Sequence, residues 1–369
     1  GVPAMAAYLK VQLEGAGFAA SDIEIVPLGD SAGFIARYRG PEGSDKKPVL
    51  FLAHMDVVTA ERADWDYDPF ALTEKDGVFY GRGVVDNKYG VLTLTQAFMR
   101  LKREGFTPDR DLILVFTGDE ETGMRTTRLL AERFKDAAFA VNSDAGGGFI
   151  PANGSGAMYG MQAAEKTYAT FEVTAANEGG HSSAPRDDNA IYDLADALQR
   201  IRTHRFPARW NDVTLASLAV SLPSLDGDLK EAVKRFIANP GDKRALKIME
   251  RERWIDNDLR TTCVATMLRA GHAENALPQK ATATVNCRIF PGETIEETKA
   301  ALAAAMGNEN LEIAVLDEPL ESPVSEVPAE LAAALAEAVK AIAPDATIYA
   351  YQENGGTDGL HFRRAGVAT

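Results

Sequence analysis

Cysteine is almost missing from this chain. Cys263 and Cys287 are its only two, and they form neither a C-x-x-C pair nor a zinc-finger spacing, which excludes thiolate zinc modules. Two buried thiols are the plain expectation. A disulfide between neighbouring strands stays open, and with it the redox compartment. Long apolar runs are missing too, since none approaches the roughly 18–20 residues that span a bilayer. Positive charge is in deficit: 39 Lys and Arg stand against 54 Asp and Glu, a net −15. A surface that acidic repels nucleic acid and anionic lipid, so neither nucleic acid nor a membrane is an expected partner. There is no internal repeat and no low-complexity segment. No initiator Met and no signal peptide are seen, which proves nothing about targeting, and Gly1 runs at once into the helical pattern Met5, Leu9, Val11, Leu13. At the other end, Gly366-Val367-Ala368-Thr369 reads as the start of a buried strand. Both ends are expected to be cut, and the compartment stays unknown.

What remains is a globular composition, 46% hydrophobic and 25% charged over 369 residues, a length that suits two domains. The first part alternates strands and helices. A helix is expected over 3–17, strands near 22–27 and 33–39, and a fully apolar strand Val49-Leu50-Phe51-Leu52-Ala53. A helix over about 89–104, a second apolar strand at 112–116, a helix at 123–135 and a third apolar strand at 139–142 follow. Short apolar runs separated by helices predict an α/β fold with a mostly parallel sheet covered on both faces. Near 165 the pattern changes. The segments at 168–174 and 282–289 alternate as half-exposed strands should, with helices at 188–203 and 294–306 and a strand near 311–316. That order predicts an α+β sandwich with helices on one face. Residues 205–262 read as a long, less regular stretch with one helical piece at 228–238. A helix at 329–343 and a strand at 346–351 return to the first pattern. The boundaries are therefore 1–164 for the first part of one domain, 165–322 for an inserted domain, and 323–369 for the second part of the first.

Each of the three apolar strands ends in residues able to hold a metal. The first runs into His54-Met55-Asp56, the second into Thr117-Gly118-Asp119-Glu120-Glu121, the third into Ser143-Asp144. Ligands bind at the carboxyl ends of strands in open parallel sheets, so these endings are expected to share one crevice. A fourth acid, Asp86, lies in the glycine-rich loop Gly81-Arg82-Gly83-Val84-Val85-Asp86-Asn87-Lys88 just before a helix. Each piece alone has an ordinary explanation, such as an acid favouring a helix N-terminus or an Asp cap. Their joint occurrence at strand ends does not. One imidazole with several carboxylates suits zinc, with manganese or cobalt as substitutes. Clustered carboxylates repel, and two divalent ions about 3.5–4 Å apart would remove that repulsion. Asp56 is spaced to reach the second ring nitrogen of His54. Of the pair Glu120-Glu121, one can bind metal while the other serves as a general base.

Four segments then carry a resemblance: Leu52-Ala-His-Met-Asp-Val-Val, Gly81-Arg-Gly-Val-Val-Asp-Asn-Lys, Gly118-Asp-Glu-Glu-Thr-Gly and Gly179-Gly-His-Ser-Ser-Ala-Pro. Together they resemble the signatures of the two-zinc aminoacylase/carboxypeptidase metallopeptidases. Thr261-Thr-Cys-Val-Ala-Thr-Met-Leu, Glu274-Asn-Ala-Leu-Pro and Val285-Asn-Cys-Arg-Ile-Phe-Pro-Gly are most similar to the carboxypeptidase S branch. The resemblance implies a zinc-exopeptidase catalytic domain with an inserted lid and dimerisation domain, two zinc ions, and a homodimer formed through the lid. The implied substrate is a small peptide or N-acyl amino acid, cleaved next to a free carboxylate. Asp86 would bridge both metals, His54 and Asp144 would complete one, and Glu121 would bind the other. Glu120 would be the base and Asp56 would orient His54. The Asp86–Asn87 peptide would be cis. His181 would help hold the oxyanion, Arg288 the substrate carboxylate and Asn275 its carbonyl, with Gly356 and Thr357 in a substrate-side loop. His361 is a poor ligand candidate, because the family's last histidine lies further on; that ligand is expected beyond Thr369. His204 and His272 sit in no motif. A dipeptidase or aminopeptidase on the same scaffold, or a metal-binding relative without catalysis, are the alternatives.

Overall fold

The computed structural model of the chain describes residues 1–150 and 156–369. Two compact units emerge. The first comprises Gly1–Met161, Ser325–Ile348 and Thr357–Thr369, and the second Gln162–Val324 with Tyr349–Gly356. The strand Thr347–Glu353 thus passes from one unit to the other. No described helix is long and apolar enough to cross a membrane.

The first unit is built on a five-stranded sheet. Its strands lie in the order Ile23–Leu28, Ser31–Tyr38, Leu112–Thr117, Val49–His54, Phe139–Asn142. The three apolar strands run parallel to one another. The two earlier strands form an antiparallel meander on the Leu112–Thr117 side. Both faces are covered, which is why the parallel strands are apolar throughout rather than alternating. On one face Phe34, Leu114 and Phe116 pack with Leu9 and Leu13 of helix Val2–Gly15 and with Val91 and Phe98 of helix Lys88–Arg103. On the other, Leu50, Leu52, Ile113 and Val115 pack with Leu130 of helix Arg125–Arg133 and with Phe362 of helix Gly359–Arg364. Leu50, Leu52, Leu114 and Phe116 are fully buried, each contributing about 1.5–3 kcal/mol of transfer free energy.

The second unit holds a four-stranded antiparallel sheet in the order Thr262–Ala270, Lys280–Ile289, Thr167–Ala176, Glu312–Leu316. Alternate residues of Lys280–Ile289 (Ala281, Ala283, Val285, Cys287, Ile289) are buried. They pack against Leu194 and Ile201 of helix Ala190–Thr203 and Leu302 of helix Ile295–Met306. The period-2 pattern read from the sequence is this one-sided burial.

Two readings need correcting. Residues 205–262 are mostly helical: Asp212–Ser221, Gly227–Ala238, Lys243–Met249 and Arg253–Asp258 surround a separate core of Leu218, Val233, Phe236, Met249 and Ile255. These helices run 6–12 residues, too short for a period of 3.6 to stand out in an 11–18 residue window. Two of their starts are fixed by side-chain caps, Asp212–Ser221 by Asn211 with Thr214 in a reciprocal box and Lys243–Met249 by Asp242 on two backbone amides. The cysteines are not free thiols. Cys263 and Cys287 are direct partners across the antiparallel pair and form a disulfide, with Cα atoms 4.1 Å apart. Only strand register could have set them opposite each other.

Candidate metal centre

Parallel pairing sets the three strand ends side by side. His54 is in register with Thr117, and Leu52 with Asn142. The residues just past these positions therefore emerge at one edge of the sheet. Two overlapping donor groups result, His54 with Asp86 and Glu121, and His54 with Glu120 and Asp144, the ligand atoms of each lying within 4.8 Å of one another. His54 Nε2 is 2.8 Å from Asp86 Oδ1 and 3.4 Å from Asp144 Oδ1. Glu120, expected as a base rather than a ligand, falls inside the second group.

Asp56 does more than orient an imidazole. Its Oδ1 lies 3.5 Å from His54 Nδ1. The same carboxylate accepts from the backbone amides of Glu120 (3.1 Å) and Glu121 (3.0 Å). It therefore pins the acidic loop of one strand to the end of its neighbour. Burial works to raise the Asp56 carboxyl, but the bond to and charge of His54, with the two amides, hold it below its usual range.

The charge balance shows what the cluster can hold. Burial works to lower the His54 pKa, yet hydrogen bonds to Asp144 and Asp56 and the charges of Asp144 and Glu120 push it up to about 12. Glu120 is raised, first by burial and then by the negative charges of Asp358, Asp144 and Glu121. Glu121 is raised by burial and by Asp86. Such a cluster retains protons at neutral pH unless another cation replaces them. Divalent metal fits the donor set: one nitrogen and several carboxylate oxygens, with Asp56 already against His54 and Asn87 bonded to Asp144.

The Asp86–Asn87 peptide is cis, as the resemblance implies. Asn87 opens helix Lys88–Arg103, and its Nδ2 donates to Asp144 Oδ1 at 2.7 Å. Gly90 allows this. A Cβ there would sit 2.1 Å from Asn87 Oδ1 and 2.2 Å from Ser143 Oγ, so only glycine lets the helix start approach the strand end this closely. Sequence reasoning gave Asn87 no role, although it stands inside the quoted motif.

Asp358 was also missed as an anchor. It is buried, and its carboxylate accepts from Thr117 Oγ1 at 2.6 Å and from Thr127 Oγ1. It thereby ties the C-terminal segment of this unit to the end of strand Leu112–Thr117. Burial raises its carboxyl despite the two hydroxyls. The Thr357-Asp358 pair in a glycine-rich turn was the only local signal. Asp119 caps helix Arg125–Arg133, accepting from the amides of Arg125 and Thr126, both at 2.9 Å. His361 is buried on helix Gly359–Arg364, in neither donor group. Burial, with Arg128 and Arg364, pushes its pKa down to about 4.

The remaining site residues lie in the second unit, except Thr357, which is buried in the first. His181 pairs with Ala276 in a two-residue ladder, and the Ser182 amide donates to Asn275 O at 2.9 Å, so His181 and Asn275 are neighbours. His181 is exposed, its Nδ1 2.8 Å from Ser183 Oγ. Arg288 lies opposite Tyr168 in the sheet, its guanidinium 4.7 Å from the ring centroid. Its Nη1 donates to Asn354 O at 3.5 Å, two residues before Gly356.

The model of "Peptidase family M20/M25/M40" matches residues 50–369. A human N-fatty-acyl-amino acid synthase/hydrolase, PM20D1, is 31% identical over 336 residues, which cover 87% of this chain and 66% of the human protein. A probable carboxypeptidase S-like 1 of Dictyostelium discoideum is 28% identical over 294 residues, covering 77% of this chain and 56% of its own. The chain thus spans about two thirds or less of the length of these relatives. Among solved structures, an M20 family metallo-carboxypeptidase from Sulfolobus solfataricus superposes with a TM-score of 0.71 at 20% identity, covering 100% of this chain and 85% of that one. Human carnosine dipeptidase 1 gives 0.63 at 17%, covering 98% and 81%. At those identities the likeness is one of fold. His54, Asp86, Glu120, Glu121 and Asp144 all fall within the matched span, and the chain belongs to peptidase family M20/M25/M40.

Proposed function

We propose that this protein is a two-zinc hydrolase that cleaves a peptide or N-acyl amide bond next to a free carboxylate, with cobalt or manganese as substitute metals. The observation that carries this reading is the pair of donor groups sharing His54. Asp86 would serve both metal ions, His54 and Asp144 would complete the holding of one, and Glu121 would hold the other. Bound there, the ions supply Lewis-acid polarisation of the substrate carbonyl and acidify a water. Glu120 would take a proton from the attacking water and pass it to the leaving amine. Asp56 fixes the His54 ring and, through two backbone amides, the position of Glu120. From the second unit, His181 donates to the developing oxyanion and Asn275 to the carbonyl. Arg288 pairs with the substrate carboxylate, a partner that suits a planar guanidinium. Gly356 and Thr357 line the substrate-side loop. A guanidinium rather than a carboxylate in that role favours a substrate acid over the free amine a dipeptidase or aminopeptidase would read. The active form is a homodimer through the second unit, a reading supported by the exposed apolar side chains of its edge strand, Val264, Met267 and Leu268.

Glu120→Gln is the test. Metal content by elemental analysis should stay at the wild-type level while turnover of N-acyl amino acids and Gly-X dipeptides falls by about 10²–10⁴. Turnover close to wild type in that variant would remove Glu120 from the role assigned.

A further inference from the structure

Arg288 is held from two sides within the second unit. Its guanidinium lies 4.7 Å from the Tyr168 ring centroid, and its Nη1 donates to Asn354 O at 3.5 Å. That bond is at the long limit for N–H···O, so a small shift of Asn354 would lose it. Whatever fixes Asn354 therefore bears on where Arg288 points.

Asn354 is fixed from its far side. Its Nδ2 donates to Asp258 Oδ1 at 2.7 Å. Its own Oδ1 is buried and has no hydrogen-bond partner among the described residues. Buried amides are ordinarily satisfied at both ends, so this side chain is turned for the bond to Asp258. Glu353 Oε1 accepts from the amides of Asn354 and Gly355, at 2.8 and 3.2 Å, which locks the backbone at the same point.

Asp258 ends helix Arg253–Asp258, in the helical stretch to which sequence reasoning gave no role. Its position is set by bonds from outside that stretch. Lys166 is buried, and its Nζ donates to Asn257 O and, at 2.7 Å, to Arg260 O. The same cation faces the Asp258 carboxylate. Gln352 Nε2 donates to Asp258 O at 3.3 Å, and its Oε1 accepts at 3.2 Å from Asn211, the cap of helix Asp212–Ser221. A buried ammonium needs fixed partners, and the partners of Lys166 lie at this helix end. The chain of contacts therefore runs from the helical stretch through Asp258 and Asn354 to Arg288.

Resting on the reading of Arg288 as the partner of the substrate carboxylate, we propose that Asp258 is a positioning residue: through Asn354 it sets the Arg288 guanidinium, with the short helices as its brace. It touches no reacting atom. Its loss should weaken recognition of the carboxylate and leave the chemical step largely intact.

The test uses zinc-loaded, full-length protein with isotope-labelled arginine. The Arg288 Nε–Hε resonance, assigned by its loss in Arg288→Lys, should move towards the position of exposed arginines in Asp258→Ala and in Asn354→Ala. Asp258→Asn keeps an acceptor oxygen for Asn354 and should leave the resonance in place. Circular dichroism and zinc content are checked in each variant, and Asn354→Ala, in a loop, carries the test should Asp258→Ala fail to fold. In turnover, both alanine variants should raise KM for an N-acetyl amino acid about tenfold while kcat changes less than about threefold. The matching carboxamide substrate should show no such rise, and in the Arg288→Lys background the further effect should be less than about twofold. A resonance unmoved in both alanine variants overturns the proposal. So does an equal KM rise for the carboxamide, or full additivity with Arg288→Lys, either of which would reduce Asp258 to a brace of the fold. If the resonance moves as expected but wild type does not favour the carboxylate over the carboxamide, the reading of Arg288 fails while the link from Asp258 stands.

Discussion

Asp56 touches three groups at once, and each contact points to the same consequence. It faces His54 Nδ1 and accepts from the amides of Glu120 and Glu121. Asp56→Asn replaces one acceptor oxygen with a donor that meets either a backbone N–H or the ring nitrogen. Zinc affinity, read by chelator competition, should fall about 10–100-fold; unchanged affinity would reduce Asp56 to a loop brace. His361 gives a residue-scale statement about pH. Its folded pKa, about 4, lies below the unfolded value near 6.5, so the unfolded chain binds the proton more tightly. Stability from this group is present above pH 6.5 and is lost as pH falls towards 4, about 2 kcal/mol between pH 7 and pH 5. Chemical denaturation of His361→Gln at those two pH values should show a smaller pH-dependent loss than wild type, by about that amount. Equal losses would mean that His361 is not held neutral.

At the scale of elements, what matters is how closely the start of helix Lys88–Arg103 approaches the end of strand Phe139–Asn142. Helix propensity alone says that Gly90→Ala should stabilise by up to about 1 kcal/mol. The contacts a Cβ would make with Asn87 and Ser143 reverse that sign, since neither atom is the free end of a long side chain. The helix must move, and with it the Asn87 bond to Asp144. Thermal melting should drop and zinc content should fall; a raised melting temperature with full zinc would show that the helix start has room to spare. The parallel strands behave differently. Their core residues are replaceable by similar apolar volume, because they set the site only by holding three strand ends in register.

On the scale of the whole molecule, the edge strand Thr262–Ala270 is the exposed flank of the second unit's sheet. Val264, Met267 and Leu268 are 60%, 52% and 62% exposed. Unpaired strand edges with apolar side chains invite pairing, and charge on an edge blocks it. The proposed dimer should therefore dissociate in the double variant Val264→Lys, Leu268→Lys, by sedimentation equilibrium at micromolar concentration. A dimer of unchanged strength would move the interface elsewhere.

Candidate donors stand out in the chain itself, because a parallel sheet covered on both faces writes each strand as a short apolar run and leaves polar residues in the few positions just past its end. His54, Glu120, Glu121 and Asp144 follow that rule, and Asp86 stands in a glycine loop of matching composition. The one-sided sheet of the second unit was equally legible as alternation. What only the tertiary structure decided are pairings between distant segments. Asp358 meets Thr117 across 241 residues, Cys263 meets Cys287 through strand register, and Asn354 meets Asp258 across 96 residues. Local periodicity records which face of an element is buried. It carries no term for which element lies opposite, and those contacts are fixed only when the whole chain packs.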